Sequence, residues 1–193
     1  MNTRFDLINH FIGERGFRSF LEIGTANGET FRAVNCERKV SVDPSESTGA
    51  TFVMTSDEFF ARNREKFDIV FVDGFHENEQ AYRDVKNALR FLNRNGVIVM
   101  HDCHPFSEDC AEPHQPPFVP VRPWMGDVWK AFVRLQAELP YVTYVWDKDC
   151  GCGVIDTSKK AYRRQDLPAD VGPLAYGDFA AHPEWMNFVK EPK

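Results

Sequence analysis

The chain has 193 residues, 23 Lys and Arg against 29 Asp and Glu, and a net charge of −6. That length fits one domain with a sizeable core, and 42% apolar with 27% charged residues is an ordinary globular composition. The acidic balance without a basic run excludes a phosphate-tracking nucleic-acid binder, and no apolar stretch approaches the roughly 18 residues of a membrane span.

Arg4 to Gly16 carries Phe5, Ile8, Phe11 and Ile12 at helical spacing and stops at glycine. Ser19–Ile23 is a short predicted strand that runs into a glycine-containing loop, followed by a short helix over Glu29–Val34. Lys39–Val42 is a second strand, broken by Asp43-Pro44, and Thr51–Met54 a brief third. Ser56–Asn63 reads as a short helix that Ser56 caps. Phe67–Val72 is a near-continuous apolar run, as expected of a strand buried on both faces. Glu79–Leu92 places Val85, Ala88, Leu89 and Leu92 on one helix face, and Gly96–Met100 is another buried strand. This alternation predicts right-handed crossovers and a parallel sheet.

The second half differs. Residues 104–123 contain six prolines and no periodicity, so they read as a long loop over the active site. Asp127–Leu139 is an amphipathic helix with Asp127 as its cap, and Tyr141–Trp146 with Gly153–Ile155 forms a hairpin. The polar tail, 158–193, brings back aromatic residues at Tyr176, Phe179, Trp185 and Phe188, and is expected to pack on the domain or on a second copy of the chain in a homodimer. The charged stretch 1–16 lacks the apolar run of a secretory signal, and five cysteines suit free thiols in a reducing, cytoplasmic setting.

At the end of the first strand, LEIGTANGET places Glu22, Gly24 and Gly28 where small residues let a backbone turn tightly and approach a ligand. Asp43 ends the second strand, where an acid accepts hydrogen bonds from both hydroxyls of a ribose. The pattern is E-x-G-x-x-x-G, without the glycine set that brings a pyrophosphate onto a helix N-terminus. An acid ahead of the loop suits a ligand with a cationic amino group.

These residues resemble the first motif of class I S-adenosylmethionine-dependent methyltransferases, with Glu22, Gly24, Thr25, Ala26, Asn27 and Gly28 matching it and Asp43 matching the ribose-binding acid. The resemblance covers about residues 18–155 and implies one domain, 1–193. It also implies an α/β, doubly wound, Rossmann-like and mostly parallel seven-stranded sheet with an antiparallel terminal hairpin. It further implies S-adenosylmethionine as cofactor, its methionine part on the glycine loop, with Ser56 and Asp57 near the adenine.

The fourth strand ends in VDGFH and the next in VMHDCHP. Adjacent parallel strands put their carboxyl ends side by side, so Asp73 and Asp102 face one another across a few ångströms. Two carboxylates so close need a cation or a shared proton, and oxygen with imidazole donors suits Mg, Mn, Fe or Zn. This half resembles the catechol-type and macrocin/novobiocin-type small-molecule O-methyltransferases, in which acids at these strand ends hold a divalent metal and a substrate diol. The resemblance implies Asp73, His101 and Asp102 as metal ligands, and Asp73, His76 and His104 as catalytic groups. Where the group carries a second acid or amide beside the later Asp, this chain has His101 and Cys103.

The expected function is methyl transfer to a small molecule. Two other readings stand beside it: S-adenosylmethionine binding without turnover, as a sensor or inactive subunit, and a metal-dependent hydroxylase or hydrolase on the same scaffold. His10, His114 and His182 have no partner in sequence. Cys150-Gly-Cys152 lacks a second ligand pair and reads as a hairpin turn rather than a structural zinc site. Trp129 and Trp146 read as packing, and Trp124 as a wall of the substrate pocket.

Overall fold

In the computed structural model, residues 1–114, 123–162 and 164–193 are described. Strands β1 (Ser19–Ile23), β2 (Arg38–Asp43), β3 (Phe52–Val53), β4 (Phe67–Val72), β5 (Leu92–Met100), β6 (Tyr141–Trp146), β7 (Cys152–Lys160) and β8 (Phe188–Val189) form a single sheet. Its order is β3-β2-β1-β4-β5-β7-β6-β8. The first five strands are parallel, β7 runs antiparallel between β5 and β6, and β8 lies parallel to β6. The predicted doubly wound sheet with its terminal hairpin is the observed one. An eighth strand is added because the tail's Phe188 and Val189 pair with Val145 and Trp146.

The strands alternate strictly between two apolar layers. Leu21, Ile23, Val70, Val72, Ile98 and Met100 face one layer, with helices α3 (Ser56–Arg62), α4 (Asn78–Arg90) and α5 (Val128–Glu138). Phe20, Ile69, Phe71, Val97 and Val99 face the other, against α1 (Arg4–Arg15). Both faces of the central strands are covered, which accounts for runs such as FDIVFV. Trp129 and Trp146 are fully buried, as their packing role requires.

Some boundaries differ from the sequence expectation, each for a local reason. Leu92 leaves α4 and pairs with Phe67, so β5 starts earlier than expected, and the register shift that follows is taken up near Asn95 at φ +64°. Thr55 rather than Ser56 caps α3, in a capping box with Glu58. Asp127 precedes α5 but makes no side-chain cap bond there. Its carboxylate accepts from the Asn78 backbone N–H at 2.7 Å and so closes the start of α4 instead.

Helix α1 clamps the hairpin at two levels. Arg15, at its last turn, meets buried Asp156 of β7 through two bonds of 2.9 and 2.6 Å. Arg4, at its first turn, donates its backbone N–H to Asp149 in the β6–β7 turn at 2.5 Å. The turn is thereby fixed against the carboxyl ends of the parallel strands.

Candidate active site

The carboxyl ends of β1, β2, β4 and β5 open into a cavity of about 770 Å³. That is within the range of small-molecule sites. Gly24 begins its floor with φ +85°, and a Cβ there would lie 1.9 Å from the Asp73 carbonyl oxygen, so only glycine lets β1 and β4 finish side by side. Gly24 N–H donates to the Val42 carbonyl at 2.9 Å. The Thr25 and Ala26 amides donate to one Asp43 oxygen at 2.9 and 3.1 Å, and the Ser45 amide to the other at 2.9 Å. Asp43 therefore holds the loop as well as lining the cavity.

Gly24, Ala26, Asp43, Ser56 and Asp57 line the cavity; Thr25, Asn27 and Gly28 shape the loop behind it. Glu22 departs from its expected role. It is 1% exposed, does not line the cavity, and leaves Oε2 without a hydrogen-bond partner. Burial, with the nearby Asp73 carboxylate, pushes its pKa up to about 8, so at neutral pH it is largely a neutral acid rather than an anionic partner for an ammonium.

The second wall carries Asp73, His76, His101 and Asp102 together. His76 Nε2 lies 3.6 Å from Asp73 Oδ1 and 3.2 Å from Asp102 Oδ2. Its Nδ1 is 2.9 Å from the Trp124 carbonyl, so Nδ1 donates there and Nε2 faces the two carboxylates. Trp124 lines the cavity, as expected of a pocket wall. His101 Nδ1 is 3.3 Å from both Asp73 Oδ1 and Asp102 Oδ1, and its Nε2 is 3.5 Å from Asp149 Oδ1. Burial opposes the charge of His101, but the Asp102 and Asp73 carboxylates outweigh it and raise its pKa well above the usual value. Asp73 is likewise held far below the carboxylate range, by His101 and His76 against its own burial.

His104 is not part of this constellation. Asp102 takes a left-handed backbone, φ +58°, and the chain turns away after it. His104 Nδ1 sits 2.7 Å from Asp147 Oδ1, and its ring packs 4.4 Å from that of Phe188, outside the cavity lining. His104, expected among the catalytic groups, therefore stands outside this cavity. Most of the loop expected over the site, 115–122, lies outside the described residues.

Among the cavity residues that sequence reasoning missed are Arg4, Asp84, Asp149 and Cys150. Arg4 reaches in from α1, its guanidinium on Thr30 Oγ1 at 2.7 Å and on Asp149 at 3.4 Å. Asp149 and Cys150 come from the β6–β7 turn. Asp84 of α4 is 1% exposed, accepts from Gln80 at 3.0 Å, and has its pKa pushed by burial up to about 6. A polar residue on the buried face of an amphipathic helix was the one signal available for it.

Among the described residues, two sets of donors have the spacing of cation ligands: Asp73, His76 and Asp102, and His101, Asp102 and Cys150, each within 4.8 Å. The first is an oxygen and imidazole set that suits a divalent cation. For S-adenosylmethionine the fit rests on Asp43 facing the cavity beside the glycine loop, with room for an acceptor beyond.

The model of a methyltransferase-domain family matches residues 21–103. No curated protein sequence matches the chain. Among solved structures, the chain is similar to an O-methyltransferase from Bacillus cereus in complex with S-adenosylhomocysteine, with 17% identity and a TM-score of 0.54, over 79% of this chain and 80% of that one. It is also similar to the O-methyltransferase TomG from Streptomyces achromogenes in complex with S-adenosylmethionine, with 17% identity and a TM-score of 0.56, over 80% and 79%. The N-methyltransferase NodS from Bradyrhizobium japonicum aligns over 82% of this chain and 95% of its own, with 15% identity and a TM-score of 0.55. These likenesses establish the fold, and because they include both O- and N-methyltransferases, the acceptor atom is a question for the residues of the site.

Proposed function

We propose that this chain, a class I S-adenosylmethionine-dependent methyltransferase domain structurally like the catechol-type O-methyltransferases, methylates a hydroxyl group of a small molecule. The observation that carries the reading is a single cavity with the glycine loop and Asp43 on one wall and Asp73, His76, His101 and Asp102 on the other. A cofactor held by the first wall lies beside an acceptor held by the second.

S-adenosylmethionine supplies an electrophilic methyl group, and a divalent cation held by Asp73 and Asp102 would act as a Lewis acid on the acceptor oxygen, leaving His76 Nε2 free for the proton. The chain's own residues align and deprotonate. Asp43 keeps the Thr25 and Ala26 amides in place and presents its carboxylate to the ribose hydroxyls. Asp73 and Asp102 accept hydrogen bonds from the acceptor, and their shared position suits adjacent hydroxyls such as those of a catechol. His76 is the proton acceptor, with Nδ1 anchored on Trp124 and Nε2 turned to the reacting side. No helix among the described residues is long and apolar enough to cross a membrane.

The test is formation of S-adenosylhomocysteine, followed by mass spectrometry, with a panel of catechols, other vicinal diols and primary amines. Acceptor-dependent product with hydroxyl compounds is expected. Tight cofactor binding with no turnover across the panel would support the sensor reading, and absence of cofactor binding would favour a hydrolase or hydroxylase.

A further inference from the structure

The position after Asp102 is Cys103, and its side chain turns away from the cavity. It is fully buried, and its Sγ faces the Met100 and His101 carbonyls at 3.5 and 3.6 Å. The thiol that does reach the site arrives from a remote part of the sequence. Cys150, in the β6–β7 turn, lines the cavity and has its Sγ in one group with a nitrogen of His101 and a carboxylate oxygen of Asp102.

This turn is fixed in place. The Cys103 amide donates to the Gly151 carbonyl at 2.9 Å, and the His104 amide to the Cys150 carbonyl at 2.9 Å. The two bonds staple residues 150–151 to the segment that follows β5. Gly151 has φ +79°, and a Cβ there would lie 2.5 Å from His104 Cβ, so the close approach depends on glycine. Arg4 holds the preceding Asp149 from the other side. His101 is 8% exposed, and its Nε2 makes no hydrogen bond, with Asp149 Oδ1 at 3.5 Å on the same turn as Cys150.

We propose that His101, Asp102 and Cys150 form a site for one thiophilic divalent cation, such as Zn²⁺ or Co²⁺. Thiolate and imidazole donors select such ions over Mg²⁺, whose preference is for oxygen. Binding forms a metal–sulfur and a metal–nitrogen bond and releases the Cys150 thiol proton and the His101 imidazolium proton to solvent. The inference builds on the location of the proposed active site but not on its reaction.

The experiment titrates the metal-free full chain with Co²⁺ and reads the sulfur-to-cobalt charge-transfer absorption in the near ultraviolet. One equivalent of Co²⁺ is expected to produce the band in the wild type and in Cys36→Ser. Cys150→Ser is expected to lose the band and to bind Zn²⁺ about tenfold or more weakly by calorimetry. In the unmutated chain, Zn²⁺ but not Mg²⁺ is expected to protect Cys150 from iodoacetamide, as read by peptide mass spectrometry, which avoids dependence on a variant that misfolds. A band that persists in Cys150→Ser, no band in the wild type, or no protection of Cys150 would overturn the proposal. S-adenosylhomocysteine binding measured on the same samples keeps a failure here distinct from failure of the methyltransferase reading.

Discussion

The two walls of the cavity are built by different means. The wall from β1 and β2 is made of backbone: tight turns, amide groups and one carboxylate, Asp43, that gathers the amides of Thr25, Ala26 and Ser45. The wall from β4, β5 and the β6–β7 turn is made of side chains that come from six separate stretches, from Arg4 to Cys150. A backbone-built site binds what many relatives bind, whereas a side-chain-built site varies with few substitutions. On the proposed function, cofactor affinity would rest on the first wall and acceptor chemistry on the second.

The sharpest way to break that division is a crossed pair of variants. Asp43→Ala removes the proposed ribose partner and also releases the Thr25 and Ala26 amides. With charge-assisted hydrogen bonds at about 1.5–3 kcal/mol each, loss of two should weaken S-adenosylhomocysteine binding by more than about 100-fold. Asp102→Asn should leave that affinity within a few-fold and lower the methyl-transfer rate by about 100-fold, the scale of one acid–base or positioning group. Calorimetry and single-turnover rates on both variants decide the matter. If Asp43→Ala changed mainly the rate, or Asp102→Asn mainly the affinity, the division of labour would be wrong.

Legibility followed the same line. The glycine loop and Asp43 could be read because their spacing along the chain is their spacing in space, set by one strand, one loop and the next strand. Asp73, His76, His101 and Asp102 were readable because they end two contiguous apolar runs that must be neighbours. Arg4, Asp149 and Cys150 were not, since nothing in a first-turn arginine or a hairpin turn says that α1 and β7 meet at the sheet's carboxyl edge. His104 misled for the opposite reason. It is adjacent to the site in sequence, but the left-handed turn at Asp102 carries it out.

Two buried acids outside the cavity lining, Glu22 and Asp156, allow a second and smaller test. Glu22 has its pKa raised from 4.5 to about 8, so folding takes up a proton across that window and stability falls as pH rises through it. Glu22→Gln should flatten this decline and raise the thermal midpoint at pH 8. Asp156 behaves in reverse. Burial pushes its pKa up, but Arg15 and Ser158 outweigh this and hold it below its usual value. Its stabilisation is present above the unfolded carboxylate's pKa near 3.9 and is lost as pH falls through the lower folded value. Asp156→Asn, which leaves Arg15 half-paired, should cost about 2 kcal/mol at pH 7 and flatten the acid limb. Urea titrations between pH 3 and 9 would expose an error in either sign.

The smallest expected effect concerns the two histidines that the sequence made equivalent candidates for the base. His76 lies between Asp73 and Asp102, and its orientation is set by Trp124. His104 faces Asp147 and the rings of Phe188 and Phe179, on the side where the tail adds its strand. It contributes a hydrogen bond to Asp147 at a partly exposed position, worth about 0.5–1.5 kcal/mol, and an aromatic contact of about 0.5–1.5 kcal/mol. These contributions share one geometry, so they are not additive. His104→Ala should therefore lower stability by about 1 kcal/mol, loosen the tail to proteolysis, and change the single-turnover rate by less than about threefold. His76→Ala should lower that rate by about 100-fold with little change in stability. The two variants share one chemical change, but only His76 lies in a wall of the cavity. A large rate loss in His104→Ala would mean that the tail and the strand it completes belong to the acceptor wall after all.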